Sequence, residues 1–406
     1  MPFVESCAMD QRIRFISDHL SGEWSVTELC ERYEISRKTG YKWIGRYNDA
    51  GAAGLAERSR APLEHGRATP AALVEAIVEL RRRRPHWGPR KLIAKLRDGS
   101  PDAAWPSAST AGEWLKRSGL VSGRRVVRRV PRRLGELTAP DRPNHVWATD
   151  HKGWIRLRDG TRVEPLTVTD GFSRYLISLA PTTSTRQAEA RPLFERAFRE
   201  YGLPEVIRSD NGPPFAATSV CGLTALTAWW AKLGIRHERI DPGHPQQNGQ
   251  HERFHGTLLE AMVPASADLA AQEGRFAAFA RDYNEERPHE ALGQRPPARL
   301  YEPSPRPLPA KLAEPDYPAE AAVRRVRSNG EIKWQGGLIF ISEVLIGEPV
   351  AVEETEAGGS RVRYYDLPLG WIDRRTERLC RFGGDGPGRA WRARPIATEP
   401  TEAKET

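Results

Sequence analysis

Cysteine is scarce in this sequence. Its 406 residues include only Cys7, Cys30, Cys221 and Cys380, and no two of them form a C-x-x-C pair. Thiols this scattered argue against a disulfide framework and against a zinc site built from cysteines. They are typical of a protein in a reducing compartment.

Long apolar runs are also missing. No stretch approaches the roughly 18 apolar residues of a membrane span, and the N-terminus has no signal-peptide-like apolar segment. The sequence therefore predicts a soluble intracellular protein without a membrane partner. Positive charge is in excess, because the chain has 62 Lys and Arg but only 53 Asp and Glu, which gives a net charge of +9. That excess favours a polyanionic partner.

The first 60 residues have the pattern of a helix-turn-helix domain. Ser25 and Ser36 are suited to cap two successive short helices, and the second helix opens on basic residues. We expect its groove-facing side chains to be Arg37, Lys38, Tyr41 and Lys42. An ordinary helical hairpin with a solvated basic face is the alternative.

A second helical block, residues 66–122, indicates another helix-turn-helix domain, with Arg90 and Lys91 as candidate DNA contacts. The basic linker 123–142 follows. Its pattern buries nothing, so Arg124, Arg125, Arg128 and Arg129 are expected to track phosphates without reading sequence.

From residue 143 to residue 300 the pattern changes to strands and helices in the order of an α/β layer fold. A Pro-rich linker, 301–318, leads to a β-rich segment, 319–378, which we interpret as a small β-barrel. The tail 379–406 has the composition of a disordered segment. The chain is thus predicted to have several domains.

Three acidic residues stand at the ends of predicted elements in the α/β block. Asp150 ends the strand "HVWATD", Asp210 ends "EVIRSD", and Glu252 opens a helix after "DPGHPQQNGQ". Only a fold could bring residues so far apart together. Carboxylates at strand ends, with a third from a facing helix, suit two Mg²⁺ ions on one phosphodiester.

The pentapeptide "HERFH", residues 251–255, supports a different hypothesis. It matches H-E-x-x-H, the zinc-protease helix, with His251 and His255 as ligands and Glu285 as a nominal third. A chance match is expected in roughly one of fifty chains of this composition. The zinc hypothesis leaves both aspartates and the N-terminal helices unexplained, so we disfavour it.

The acidic residues lie in motifs that resemble a known family. "WATDHKGW", "IRSDNGPPF", "HPQQNGQHERFHGTL" and "YNEERPHEALGQRPPARLY" look like the catalytic core of bacterial insertion-sequence transposases of the DDE type, related to retroviral integrases. The resemblance is strong over 143–300. The helix-turn-helix blocks and the trailing β segment also fit such transposases.

The resemblance implies a ribonuclease H-like fold with a mixed five-stranded sheet and catalysis by two Mg²⁺ (or Mn²⁺) ions. It makes Asp150, Asp210 and Glu252 the metal-binding triad. Water would free a 3′-OH at the element end, and that hydroxyl would attack target DNA. The implied partners are double-stranded element ends, target DNA and further copies of the chain, in a bacterial cytoplasm beside the nucleoid. The loop residues Gln246, Gln247 and Asn248 would touch DNA.

Two departures from the family pattern stand out. The spacing between Asp210 and Glu252 is longer than in many relatives, and the extra length is expected in "AATSVCGLTAL", away from the metals. Retroviral integrases also carry lysines one and two turns after the glutamate, where this chain has Gly256 and Leu259. Arg253 and His255 are candidates to substitute for them.

Other interpretations stay open at this point. A transposase-derived regulator without catalysis would keep the helix-turn-helix domains, and a ribonuclease H-like enzyme acting on RNA would keep the core. Asp170 is interpreted as a turn residue rather than a fourth ligand. Four tryptophans, Trp147, Trp154, Trp229 and Trp230, are interpreted as core or interface aromatics.

Overall fold

The computed structural model describes residues 7–57, 69–121, 137–217, 219–241, 244–354, 359–373 and 375–381. The chain divides into two compact units, 1–69 and 70–406. Within the described ranges, no helix is both long enough and apolar enough to cross a membrane.

The first unit is a three-helix domain. Its helices are α1 (Ala8–Leu20), α2 (Val26–Arg32) and α3 (Arg37–Ala50). Ser25 accepts a hydrogen bond from the Glu28 amide and Ser36 accepts one from the Thr39 amide, so both predicted caps are confirmed. Helices α2 and α3 cross closely at Gly40, where a Cβ would lie 2.5 Å from the Cys30 sulfur. Glycine is therefore required at this crossing.

The second unit begins with another helical domain, made of α4 (Ala71–Arg83), α5 (Pro89–Gly99) and α6 (Ala108–Arg117). Apolar residues recur every three or four positions and meet in one small core of Ile77, Leu80, Trp87, Leu92, Ile93, Ala111 and Leu115. The two helical domains predicted by the sequence are thus present.

The α/β block contains six strands and four helices. The strands are β1 (Val146–His151), β2 (Ile155–Arg156), β3 (Arg162–Asp170), β4 (Leu176–Thr182), β5 (Val206–Ser209) and β6 (Arg236–Arg239). The helices are α7 (Gln187–Tyr201), α8 (Ala225–Lys232), α9 (Gly249–Ala261) and α10 (Leu269–Arg281).

Strand β1 is the centre of the sheet. It runs antiparallel to β3 on one side and parallel to β5 on the other. Strand β4 pairs with β3 and β6 pairs with β5, so the order is β4-β3-β1-β5-β6. The predicted mixed sheet is confirmed, with the two-residue β2 as an additional short strand beside β3.

Alternation along β3 assigns the two faces of this sheet. Leu166 and Val168 enter a core with Phe194 and Phe198 of α7, whereas Thr167 and Thr169 face the opposite side and bond to α9. Successive side chains of a strand point to opposite faces, so β3 contacts the helices on both sides of the sheet. The result is a sheet covered by α7 and α8 on one face and by α9 and α10 on the other.

The C-terminal β domain has seven strands: β7 (Ala322–Arg325), β8 (Glu331–Trp334), β9 (Gly337–Phe340), β10 (Pro349–Glu354), β11 (Ser360–Tyr364), β12 (Leu367–Asp373) and β13 (Arg378–Cys380). The expected closed β-barrel is not found in the described residues. They form an open antiparallel sheet, β13-β12-β11-β10-β7, and a separate β8-β9 hairpin. The edge strands β7 and β13 have four and three residues and share no ladder, which leaves the sheet open.

The segment before α8 and α8 itself contribute to the packing of the β domain. Leu223 and Ala228 join the apolar core of that domain, and the Cys221 thiol donates to the Ile341 carbonyl at 3.3 Å. The segment "AATSVCGLTAL", where the sequence predicts the extra length, therefore contacts the C-terminal domain through Cys221 and Leu223.

Candidate functional site

The register of the central strands places two of the three acids side by side. Ala148 of β1 is paired with Arg208 of β5. Two residues further along each parallel strand come Asp150 and Asp210, at the same edge of the sheet. Carboxyl ends of parallel strands are where ligands bind in open α/β sheets.

The third acid comes from α9, which lies across that edge. Glu252 is in the first turn of this helix and is exposed. Burial, together with the negative charges of Asp210 and Glu252, raises the pKa of Asp150 to about 7. Three carboxylates from three elements therefore repel one another at one place.

Asp150, Asp210 and Glu252 lie at what we call the acidic edge of the sheet. Thr167 connects this edge to α9. Its hydroxyl donates to the Asp150 carbonyl at 2.9 Å. The same oxygen lies 2.7 Å from His251 Nε2 and 2.8 Å from His255 Nε2. Because a hydroxyl has one hydrogen, both imidazoles must donate to it from Nε2.

This assignment fixes the rest of the network. His251 Nδ1 is then an acceptor for the Thr169 hydroxyl at 3.0 Å. His255 Nδ1 carries no hydrogen and faces Asp150 Oδ2 at 3.8 Å. Burial lowers the pKa of His251 to about 3 and that of His255 to about 2, so both rings are neutral near pH 7.

The structure corrects the sequence interpretation of both histidines. The sequence made both of them hypothetical zinc ligands and His255 a candidate DNA contact, but His251 is 1% exposed and His255 is 5% exposed. Residues four apart share a helix face, and here that face meets the sheet. The zinc hypothesis loses its ligands, because both Nε2 atoms are bonded to Thr167.

We expect Thr167→Val to destabilise the α/β block by roughly 1–3 kcal/mol, since valine leaves two buried N–H donors without an acceptor. Thr167→Ser keeps the hydroxyl and should restore most of this stability. Urea unfolding measures both effects. Thr149→Val is the matched control, because the Thr149 hydroxyl is buried in β1 without a partner among the described residues. Equal stability of the two valine variants would contradict this role for Thr167.

The donor set fits a hard divalent cation in its chemistry. Within the described ranges, no three His, Cys, Asp or Glu side chains are close enough to hold a metal ion as they stand. The three carboxylates nevertheless supply only oxygen, and their repulsion is felt in the raised pKa of Asp150. A divalent cation is the partner that such excess negative charge accepts.

Asp170 and the predicted interior tryptophans have structural roles, with one exception. Asp170 accepts bonds from the Asn144 amide and from the amide and hydroxyl of Ser173, which makes it a buried turn residue as predicted. Trp147, Trp229 and Trp230 are buried core aromatics, whereas Trp154 is 52% exposed and does not belong to the core.

Not all of the loop side chains that were expected to touch DNA, in the loop before α9, are exposed. Gln247 and Asn248 are buried, and Gln247 exchanges two hydrogen bonds of 2.6 Å with Asp241. Gln247 therefore braces the loop. Gln246 is partly exposed and Arg253 is exposed, its Nε donating to the Gly249 carbonyl.

The candidate DNA contacts of the two helical domains differ in exposure and partners. Arg37, Lys38, Tyr41 and Lys42 are all exposed along the first half of α3. In the second helical domain, Arg90 pairs with Glu290 at 2.6 Å, and burial lowers the pKa of Lys91 to about 8. The linker candidates Arg124, Arg125, Arg128 and Arg129 lie outside the described residues.

Further ion pairs place α4 and α5 against the α/β block. Arg84 meets Asp282 and Lys95 meets Glu286, each at 2.5 Å. The basic residues of this second domain are thus partly engaged within the chain.

The Thr167 network was missed at the sequence level, although a signal existed. In "LTVTD" two threonines alternate with apolar residues, which predicts a polar second face on a buried strand. Their partners, the two histidines four residues apart, were attributed to a different site.

Family models match most of these domains. An "Integrase core domain" model matches residues 140–245 and a second one matches 233–297. A "Helix-turn-helix domain" model matches 11–62 and a "Homeodomain-like domain" model matches 39–115. The core therefore places the chain in the class of polynucleotidyl transferases, with helix-turn-helix domains in front.

Two insertion-element proteins are related over most of their length. The 39.2-kDa protein of IS476 from Xanthomonas euvesicatoria is 31% identical over 254 residues, 61% of this chain and 71% of that protein. The 31.7-kDa protein of IS407 from Burkholderia multivorans is 30% identical over 231 residues, 56% of this chain and 80% of that protein. The chain belongs to the insertion-sequence transposases with a retroviral-integrase-like core.

Several viral proteins are also similar to part of this chain. The Gag-Pol polyprotein of baboon endogenous virus is 30% identical over 200 residues, 47% of this chain and 10% of the polyprotein. Among solved structures, the HTLV-2 integrase catalytic core with magnesium is 17% identical, covering 40% of this chain and 99% of that one, at a TM-score of 0.32. A simian T-cell lymphotropic virus intasome is 18% identical, covering 73% of this chain and 99% of that one, at a TM-score of 0.36.

Proposed function

We propose that this protein is a DNA transposase that binds the terminal inverted repeats of its insertion sequence, cleaves their 3′ ends and joins them to target DNA. The observation that carries the proposal is the placement of Asp150, Asp210 and Glu252 at one sheet edge, where burial and then the two neighbouring charges raise the pKa of Asp150. The helix-turn-helix domains support duplex DNA as the substrate.

In this proposal the three carboxylates hold two Mg²⁺ or Mn²⁺ ions, with Asp150 and Asp210 on the rigid sheet and Glu252 on the helix above it. The bound ions would supply activation of the attacking hydroxyl and stabilisation of the leaving oxygen. Asp150 binds a cation only after losing its proton, so its raised pKa makes binding depend on pH near 7. Thr167 holds the Asp150 backbone and α9 in a fixed relation.

The two chemical steps balance without another reactant. In the first, a water oxygen attacks the phosphorus at the element end and the 3′-oxygen leaves as a hydroxyl. In the second, that 3′-OH attacks a target phosphodiester, and one P–O bond is exchanged for another. Two element ends must reach one target, so we propose that the active form is a multimer of this chain.

DNA joining by the full chain tests the proposal. The protein is incubated with a labelled duplex ending in the terminal repeat, a supercoiled target and Mg²⁺ or Mn²⁺, and joined products are separated on a gel. We expect joining with either ion and none in EDTA. Zinc-dependent peptide hydrolysis without joining would overturn the proposal. End binding without joining in either ion would favour a non-catalytic regulator.

The DNA-reading role of α3 has its own test. Replacing Arg37 and Lys38 with alanine should weaken end binding and lower the slope of log K against log salt by about one for each phosphate that α3 no longer neutralises. Arg14→Ala, at an exposed position on α1, is the matched control. Unchanged binding and slope in the double variant would remove α3 from the interface.

A further inference from the structure

Trp154 has a position that neither packing nor the acidic triad explains. Its neighbour Ile155 packs into the core beside α9, and Leu157 is buried. Trp154 itself is 52% exposed, four positions after Asp150 in the chain. Tryptophan is enriched at binding interfaces, because its ring is apolar and its N–H is polar.

A bulge in the strand aims this side chain. His151 pairs with Leu166, but Ile155 pairs with Val163, so three residues of one strand face two of the other. Gly153, inside the bulge, has φ +80°, a conformation that favours glycine. Bulges beside active sites re-aim side chains, and this one lies directly after Asp150.

Two arginines flank the exposed indole. The guanidinium carbons of Arg162 and Arg156 lie 4.8 Å and 6.0 Å from the centroid of the Trp154 ring. The two arginines are directly opposite each other in the β2–β3 ladder, where like charges repel. Arg162 also pairs with Glu164 at 3.0 Å, whereas Arg156 has no carboxylate partner among the described residues.

The same surface continues toward the acidic edge. Lys152 is the first of the three bulge residues, two positions after Asp150, and its positive charge lowers the pKa of Asp150. A half-exposed aromatic ring with guanidinium groups beside it, four positions after Asp150 in the chain, matches the two parts of a nucleotide. The base stacks on an aromatic ring and the phosphates meet the cations.

We propose that Trp154, Arg156 and Arg162 form a stacking site for an unpaired nucleotide of the DNA held at the acidic triad. The proposal rests on the proposed function, because it takes DNA as the ligand. Strand ends that fray or are cut beside the carboxylates would supply the unpaired base. The indole would bind any base, since every base has a π-face, and the site would thus hold the end without reading its sequence.

Binding of three duplexes to the full chain tests this site. One is blunt, and the other two have the same sequence with a two-nucleotide single-stranded overhang, at the 5′ end in one and at the 3′ end in the other. Anisotropy is measured in EDTA to prevent cleavage. We expect the chain to prefer one overhang form by about fivefold or more, and Trp154→Ala to remove that preference while leaving blunt-duplex binding unchanged. Trp154→Phe should retain part of it.

A spectroscopic readout separates stacking from a general decrease in affinity. 2-Aminopurine placed in the overhang should be quenched on binding to the unaltered chain and to Phe340→Ala, and stay bright with Trp154→Ala. Phe340 is a suitable control because it is a half-exposed ring of the C-terminal β domain. Thermal unfolding checks that Trp154→Ala leaves the fold intact.

The outcomes distinguish this proposal from the proposed function. If Trp154→Ala keeps both the overhang preference and the quenching, the stacking site is wrong, whether or not joining occurs. If it weakens blunt and overhang binding equally, Trp154 contacts duplex DNA generally and the stacking site is again wrong. Failure of the unaltered chain to bind or join any duplex would instead overturn the proposed function.

Discussion

Glu252→Gln is expected to abolish strand transfer while leaving the binding of DNA ends undiminished. Glutamine keeps the size of the side chain and removes the negative charge of Glu252, which contributes to the raised pKa of Asp150. Because the proposed cations contribute several kcal/mol to stabilising the transition state, joining should fall by about three orders of magnitude or more. Joined products and end binding are measured on the same preparation.

Glu260→Gln provides the matched control for this variant. Glu260 lies on the same helix two turns further on and is also exposed, so its replacement removes the same charge away from Asp150. Its joining rate should stay near that of the unaltered chain. A Glu252→Gln protein that joins ends at the unaltered rate would remove Glu252 from the reaction and leave the triad without its third member.

The acidic residues could be predicted from the sequence because their chemistry constrains both residue type and position. Asp150 and Asp210 each end a short apolar strand, and the turn after Asp210 begins with Asn-Gly. These local signals can be read from the sequence without knowledge of the fold. The proximity of Asp150 to Asp210 cannot be read in this way, since it depends on the parallel pairing of β1 with β5.

The roles of the histidines could not be predicted, for a related reason. Their four-residue spacing puts His251 and His255 on one helix face, but it does not determine which face meets the sheet. That choice depends on Thr167 and Thr169, which are more than 80 positions upstream. The buried hydroxyls of these two threonines form hydrogen bonds with both imidazole rings, so the histidines face the sheet. Glu252, on another side of the helix, stays exposed.

The C-terminal domain shows a second limit. Turn signals and β-rich composition predicted its strands, but closure of a barrel depends on strand length and edge pairing. Strands β7 and β13 are short edge strands, and they do not pair with each other in the described residues. The domain also completes its core with Leu223 and Ala228 of the α/β block, a contact that no local pattern in residues 319–378 encodes.

The acidic edge should lower the stability of the metal-free protein, and Asp150→Asn should therefore stabilise it at pH 8. The pKa of Asp150 is about 7 in the fold against an ordinary value of 3.8. Folding holds the proton more tightly than the unfolded chain does, so stability falls as pH rises between these two values and is constant above them. Asparagine carries no such proton, and its advantage reaches about 4 kcal/mol at most.

Urea unfolding in EDTA at pH 5 and pH 8 measures this effect. The advantage of Asp150→Asn should be about 2–3 kcal/mol larger at pH 8, because most of the titration lies between the two conditions. Saturating Mg²⁺ should shrink or reverse the stability advantage of Asp150→Asn, since a cation that binds only the folded unaltered chain adds stability.

Asp102→Asn, at an exposed position, is the control and should show no such dependence on pH or Mg²⁺. An Asp150→Asn protein no more stable than the unaltered chain at pH 8 would mean that burial and the two neighbouring charges do not disfavour an ionised Asp150 at this edge. The site would then lack the excess negative charge that attracts a cation.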